Sequence, residues 1–116
     1  MANQVGWFEV VGQDAEKLQR FYGDVFGWQF NAIPEMGYAT VEGAEGGISG
    51  GVGAAPSGQG HATFYVGVDD PQAMLDKIES AGGKTVVPVT EIPNVVTFAM
   101  FTDPEGHLVG LYKGAM

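Results

Sequence analysis

The chain says much the same thing twice, at an offset of 56 residues. Phe8-Glu9-Val10 is answered by Phe64-Tyr65-Val66, Asp14 by Asp70 and Leu18 by Met74. In each copy a strand-like alternation runs into an acidic residue placed to cap a helix. Asp14 precedes AEKLQRFYGDVFG, where Leu18, Phe21, Tyr22 and Val25 form an apolar stripe at helical spacing. Asp70 precedes PQAMLDKIESAGG, with Pro71 at the first helical position, Met74, Ile78 and Ala81 as the stripe, and Gly82-Gly83 as the stop. Further strand candidates follow each helix, at 28–32, 38–42 and about 46–54, then at 84–89, 95–102 and 107–113. Each half therefore reads strand, helix, strand, strand, strand. This predicts an α+β fold of two βαβββ modules, about 3–55 and 60–114, within one domain spanning 1–116. PSGQG, residues 56–60, reads as a short flexible joint between them.

Alternation assigns the faces. Phe8 and Val10, with Ala62, Phe64 and Val66 as counterparts, should pack beneath the helices. Trp7, Glu9 and Val11 point the other way, as do His61, Thr63 and Tyr65, and this second face is aromatic, acidic and hydroxylic together. Two curved mixed half-sheets with helices outside would bring such faces around a cavity. Phe98, Met100 and Tyr112 line the same cavity if the faces hold. Aromatic rings and methionine offer stacking area to a flat ligand. Trp28, after the helix-ending Gly27, reads as core or a dimer contact.

Near the end of the sequence, FTDPEGHLVGLYK carries a tight turn at Asp103-Pro104-Glu105-Gly106, then a strand with a glycine in its middle, Gly110. A mid-strand glycine signals a bulge or something large close by. Asp103 and Glu105 read as turn formers, and His107 as an exposed strand start. Glu9 is unusual in standing between Trp7, Phe8, Val10 and Val11. If buried, its carboxylate must be paired or rise in pKa. It reads either as a ligand acceptor or general base, or as an interior carboxylate satisfied across the sheet by a side chain such as Tyr65 or His61.

Charge and composition close off other classes. Five Lys+Arg against fourteen Asp+Glu give a formal charge of −9, which repels nucleic-acid backbones and anionic membranes. No run approaches the roughly 18 apolar residues of a membrane span, and MANQVGWFEV lacks the pattern of a signal peptide, so the expected location is cytoplasmic. The absence of cysteine excludes thiolate chemistry and Cys-ligated zinc. EGGISGGVGAAP lacks the Lys-Ser/Thr ending of a phosphate loop and reads as a mobile glycine-rich strand or loop beside the cavity. None of Ser49, Ser57 and Ser80 sits in a nucleophile elbow.

RFYGDVFGWQF, GHATFYVGVDD and FTDPEGHLVGLYK together resemble the vicinal oxygen chelate superfamily, the group of glyoxalase I, bleomycin-resistance proteins and extradiol dioxygenases. The resemblance covers nearly the whole chain and implies two βαβββ modules forming an incomplete barrel, and a homodimer. Family members with chemistry hold one divalent metal through His and Glu side chains on the first and last strands of each module. Carried over, those positions fall on Trp7, on Thr63 (or His61, two residues earlier on the same face) and on Gly110. The first module's last strand falls in 46–60, which contains no Asp, Glu, His or Cys. A divalent ion wants four to six N or O ligands, so no metal is expected and His61 is the lone candidate ligand.

The resulting expectation is a metal-independent protein that binds or sequesters a small aromatic molecule or natural product, as the drug-sequestering members of the family do. Trp7, Glu9, His61, Thr63, Tyr65, Phe98, Met100, Gly110 and Tyr112 would form the ligand site. Gly110 and the glycine-rich strand would supply volume, and Glu9 and His61 would be the catalytic candidates if there is chemistry. The alternative is a metal-dependent lyase, isomerase or dioxygenase of the glyoxalase type, with a divalent ion as cofactor.

Overall fold

Both predicted caps form in the structure, a computed structural model that describes residues 2–55 and 59–113. Asp14 accepts from the backbone N–H of Lys17 at 3.0 Å and starts α1, Ala15–Phe26. Asp70 accepts from that of Ala73 at 3.1 Å and starts α2, Pro71–Ser80, with Pro71 in the first turn. Gly27 ends α1 in the left-handed conformation, φ 73°, where an L side chain is disfavoured. Around the helices, the described residues form eight strands: β1 Val5–Gly12, β2 Phe30–Ile33, β3 Tyr38–Val41, β4 Ser49–Ala54, β5 His61–Gly67, β6 Lys84–Ile92, β7 Val96–Thr102 and β8 Leu108–Lys113. Each half is βαβββ, with one 3₁₀ turn, Pro34–Met36, between β2 and β3. The fold class is α+β, as expected. Residues 56–58 of the proposed joint and residue 114 of the second module lie outside the described residues. Among the described residues no helix is long and apolar enough to cross a membrane.

The chain divides into two units, Trp7–Ala62 and Thr63 onward together with the residues up to Gly6. In the first unit the strand order is β2-β3-β4-β1, with β1 parallel to β4 and the other pairs antiparallel. In the second it is β6-β7-β8-β5, with β5 parallel to β8 and the rest antiparallel. The repeat thus extends to strand pairing. Glu9 pairs in register with Gly51, and its sequence counterpart Tyr65 pairs with Gly110.

The helices differ in how they dock. In the second unit α2 buries Leu75 (1 % exposed) against Val68, Ala99 and Leu111, and Met74 and Ile78 of the predicted stripe pack around this core. The residue of α1 at the matching repeat position is Gln19, whose Nε2 donates to the carbonyl of Val52 at 2.9 Å. A hydrogen bond stands where its partner has an apolar anchor, and α1 buries no residue. The helix carries the predicted stripe, and Phe21 and Val25 of that stripe are exposed. Phe64, expected beneath a helix, is also exposed.

Of the two forms expected for the glycine-rich segment, strand or loop, Ser49–Ala54 takes the strand, with Gly50, Gly51, Val52 and Gly53 all buried in β4. Rings cover both faces. A Cβ at Gly50 would fall inside the ring of Phe8 and one at Gly51 inside the ring of Tyr38, while one at Gly53 would meet the edge of the Tyr38 ring and the Gly37 carbonyl. Gly50→Ala therefore forces an aromatic ring off its strand. We expect a loss of about 1–3 kcal/mol in urea unfolding, as for other overpacked cores. A change below about 0.5 kcal/mol would show that Phe8 is not seated as described.

Candidate functional site

Side chains at alternate positions of β1 put Trp7 and Glu9 on one face of the first unit's sheet. Tyr38, the first residue of β3, lies across Gly53 and Gly51 of β4 and reaches the same place. The indole Nε1 of Trp7 donates to the Tyr38 hydroxyl at 3.2 Å, and that hydroxyl donates to Glu9 Oε2 at 3.1 Å. His61, which opens β5, completes the group with Nε2 at 3.0 Å from Glu9 Oε1. Trp7 is buried, while the Glu9 and His61 side chains remain 15 % and 24 % exposed.

The order of donors follows from the chemistry of each group. An indole N–H only donates and an ionised carboxylate only accepts, so the Tyr38 hydroxyl must accept from Trp7 and donate to Glu9. Burial, followed by the charge of Glu9, pushes the Tyr38 hydroxyl well above the ordinary tyrosine range. Tyr38 is thereby held as a neutral donor. With Glu9 ionised, Nε2 of His61 carries the hydrogen that faces the carboxylate. A neutral ring would then present Nδ1 as an acceptor, and a protonated one would present it as a second donor. The result is a carboxylate–imidazole pair with a tyrosine brace and partial access to solvent. Such a pair can orient a ligand hydroxyl or amine, or move a proton.

The first unit brings together three of the predicted site residues, Trp7, Glu9 and His61. It adds Tyr38, which the sequence reading did not single out. The signal was present in the glycines of β4, since glycine in a strand marks a close neighbour. Alternation alone, however, does not name which neighbouring strand supplies that ring.

The other predicted residues lie in the second unit. Tyr65 is buried (5 % exposed), pairs with Gly110 across β5 and β8, and has its hydroxyl 3.8 Å from the sulfur of Met100. A Cβ at Gly110 would fall inside the Tyr65 ring. The expected open volume above Gly110 is therefore corrected: the chain's own ring occupies it. Thr63 donates its hydroxyl to the carbonyl of Leu108 at 2.6 Å. Phe98 and Tyr112 are cross-strand partners on β7 and β8, and the Tyr112 ring closes over Gly6 and Gly67. His107 precedes β8 instead of starting it. Its exposed ring and its backbone N–H both bond the Asp103 carboxylate, as does the N–H of Glu105. These hydrogen bonds hold the Asp103 carboxyl below its usual range and make this cluster a turn lock.

Of the positions that the resemblance assigns to metal ligands, Trp7 donates to Tyr38, Thr63 donates to a backbone carbonyl and Gly110 lies under a ring. Among the described residues no group of three or more His, Cys, Asp or Glu side chains is placed to hold a metal ion.

Residues 4–111 match the family model of the Glyoxalase/Bleomycin resistance protein/Dioxygenase superfamily, and the chain belongs to that superfamily. It is 31% identical over 115 residues to a putative glyoxylase, CFP32, of Mycobacterium tuberculosis, covering 92% of this chain and 44% of that relative. The chain thus spans under half the length of that curated relative. A glyoxylase-like domain-containing protein of Didymella fabae is 33% identical over 115 residues, with 90% of this chain and 88% of that one covered. Among solved structures, a superfamily member from Vibrio splendidus superposes with a TM-score of 0.66 at 16% identity. That match covers 97% of this chain and 100% of that one, and it bears on the fold alone.

The Tyr38 brace generates a prediction about alkaline pH. The fold favours the protonated phenol, so its contribution to stability is complete below the ordinary tyrosine value of 10.0 and is lost as pH climbs above it. In urea titrations, wild type should lose more stability than Tyr38→Phe between neutral pH and values above 10.0. Parallel decline of the two proteins would remove Tyr38 as the titrating group.

Proposed function

We propose that this chain is a metal-independent member of the superfamily that binds a small organic molecule, with the Glu9–His61 pair as its polar anchor. The observation that carries the reading is the 3.0 Å pairing of Glu9 with His61 at partial exposure, braced by Tyr38. A binding site needs a few oriented polar groups, whereas a catalytic divalent ion needs about four to six ligands. The residues at the inferred ligand positions do not fit a metal, because indole, a threonine hydroxyl or the single imidazole of His61, and glycine cannot supply that set. Glu9 would accept from a ligand hydroxyl or amine, and Nδ1 of His61 would accept from a second donor. Trp7 would give the flanking aromatic wall. The reading includes the homodimer that the family resemblance implies, which analytical ultracentrifugation would test.

A second reading, metal-free acid–base chemistry, is favoured by the same pair. A histidine whose Nε2 is held by a carboxylate presents Nδ1 as a base. In that case the anchor and the proton acceptor are one group. The metal-dependent lyase, isomerase or dioxygenase alternative would require ligands beyond the Glu9–His61 pair.

Three measurements separate these readings. A thermal-shift screen of aromatic compounds, run with and without a strong chelator, should give hits that survive the chelator and weaken at least about tenfold in Glu9→Gln and His61→Ala. A tenfold loss corresponds to the roughly 1.4 kcal/mol expected of a charge-assisted hydrogen bond. About one bound divalent ion per chain, lost in His61→Ala, would overturn the proposal in favour of the metal-dependent alternative. Turnover of a hit, abolished by His61→Ala without metal, would select the acid–base reading.

A further inference from the structure

Phe8 points away from Glu9, and on its own side of the first unit it helps to line a second concavity. A groove of about 580 Å³ runs between the C-terminal end of α1 and the segment after β3, bounded by Phe8, Phe26, Trp28, Val41, Glu42 and Ile48. Its aromatic walls are a packed set. Trp28 stacks on Tyr22 with 13° between their planes, lies 5.2 Å from Phe8 at 48°, and lies 5.5 Å from Phe26 at 35°. Phe8 is fixed by its seat over Gly50, whereas Phe26 is 60% exposed. The opposite wall is a folded turn, with the N–H of Gly43 donating to Ser49 Oγ at 2.9 Å and that of Gly47 to the Ala44 carbonyl at 2.7 Å.

The charged side chain lining the groove is acidic. Glu42 is on its rim, and the carboxyl end of α1 adds the partial negative charge of its terminal carbonyls. Helices usually offset that end with a basic residue, but the last turn of α1 has none and carries Asp24. The unit's cations, Lys17 and Arg20, lie in the first half of the helix. Ring faces, a carboxylate and a helix C-terminus each attract positive charge, and an apolar wall of Val41 and Ile48 accepts a hydrocarbon body.

We propose that this groove is a binding site for a small organic ammonium ion, a quaternary or protonated amine carried on an apolar body. The nitrogen sits against Trp28 and Phe26 on the side of Glu42, and the body lies along Val41 and Ile48. This site is separate from the Glu9–His61 pair and does not depend on it.

The chain's two tryptophans make the test local, since Trp28 belongs to the groove and Trp7 to the Glu9 site. Choline and its neutral isostere 3,3-dimethylbutan-1-ol are titrated into the ¹⁵N-labelled protein, with benzyltrimethylammonium as a larger cation. The indole N–H signals are assigned by Trp7→Phe and Trp28→Phe. Saturable movement of the Trp28 signal with the cations, with Trp7 unmoved, is the expected result. Glu42→Gln and Phe26→Ala alter exposed side chains, and each should weaken cation binding about threefold or more, in line with cation–π and exposed charge contributions. The neutral isostere should bind at least as much more weakly. The proposal is overturned if Trp28 fails to move, if alcohol and cation bind equally, or if neither substitution changes the affinity in a protein whose spectrum is otherwise intact.

Discussion

The first unit is organised by one ring laid across one strand. Tyr38 starts on β3, crosses β4 and meets Glu9 on β1, a span of two strand spacings of about 4.8 Å each. That path is open only if β4 has no side chains under the ring, and Gly51 and Gly53 meet the condition. Phe8 imposes the same demand at Gly50 from the other face. Each strand glycine costs about 0.5–1 kcal/mol relative to alanine. Burying a large aromatic side chain contributes about 1.5–3 kcal/mol. Phe8 and Tyr38 are half-buried and so gain part of that, to which the hydrogen bonds to Glu9 and from Trp7 add.

The second unit solves the matching problem with a different side chain. Tyr65 occupies the repeat position of Glu9, and Gly110 the register position of Gly51. Here the first strand supplies the ring itself, which covers the glycine and ends near the sulfur of Met100. One copy of the motif thus holds a braced carboxylate and the other a packed phenol. A similar substitution separates the helices: Leu75 anchors α2 in an apolar core, while Gln19 at the matching place ties α1 to a β4 carbonyl. A glutamine contributes less than a buried leucine, and the aromatic groups of α1 and Trp28 stack on one another outside any core.

What the sequence revealed and what it hid follow from these contacts. The repeat, both aspartate caps and the βαβββ order depend on local periodicity and on short-range hydrogen bonds, which a linear reading captures. The Glu9–His61 contact was within reach because alternation put both on one face. Tyr38 was not, because its role depends on the register between β3 and β4, a non-local quantity. The same blindness made Gly110 look like space. A missing side chain marks either a vacancy or a neighbour's ring, and only the pairing of β5 with β8 decides between them. Phe21 and Val25 show the converse error, since a stripe with helical period says that a face is apolar without saying that anything covers it.

The brace on Glu9 also answers the cost of its burial. A carboxylate 15 % exposed loses much of its hydration, and donors must replace that water if the charge is to persist. Among its partners are two unlike groups, the Tyr38 hydroxyl and the His61 imidazole. The Tyr38 hydroxyl is driven upward by burial and by the carboxylate itself, so it remains a fixed donor across the neutral range. His61 holds the other carboxylate oxygen at 3.0 Å. Trp7 cannot titrate at all and serves to hold the phenol oxygen in place. The Glu9–His61 pair therefore keeps its geometry through that fixed donor. Orientation of that pair depends on a tyrosine whose path, in turn, depends on two glycines in the neighbouring strand.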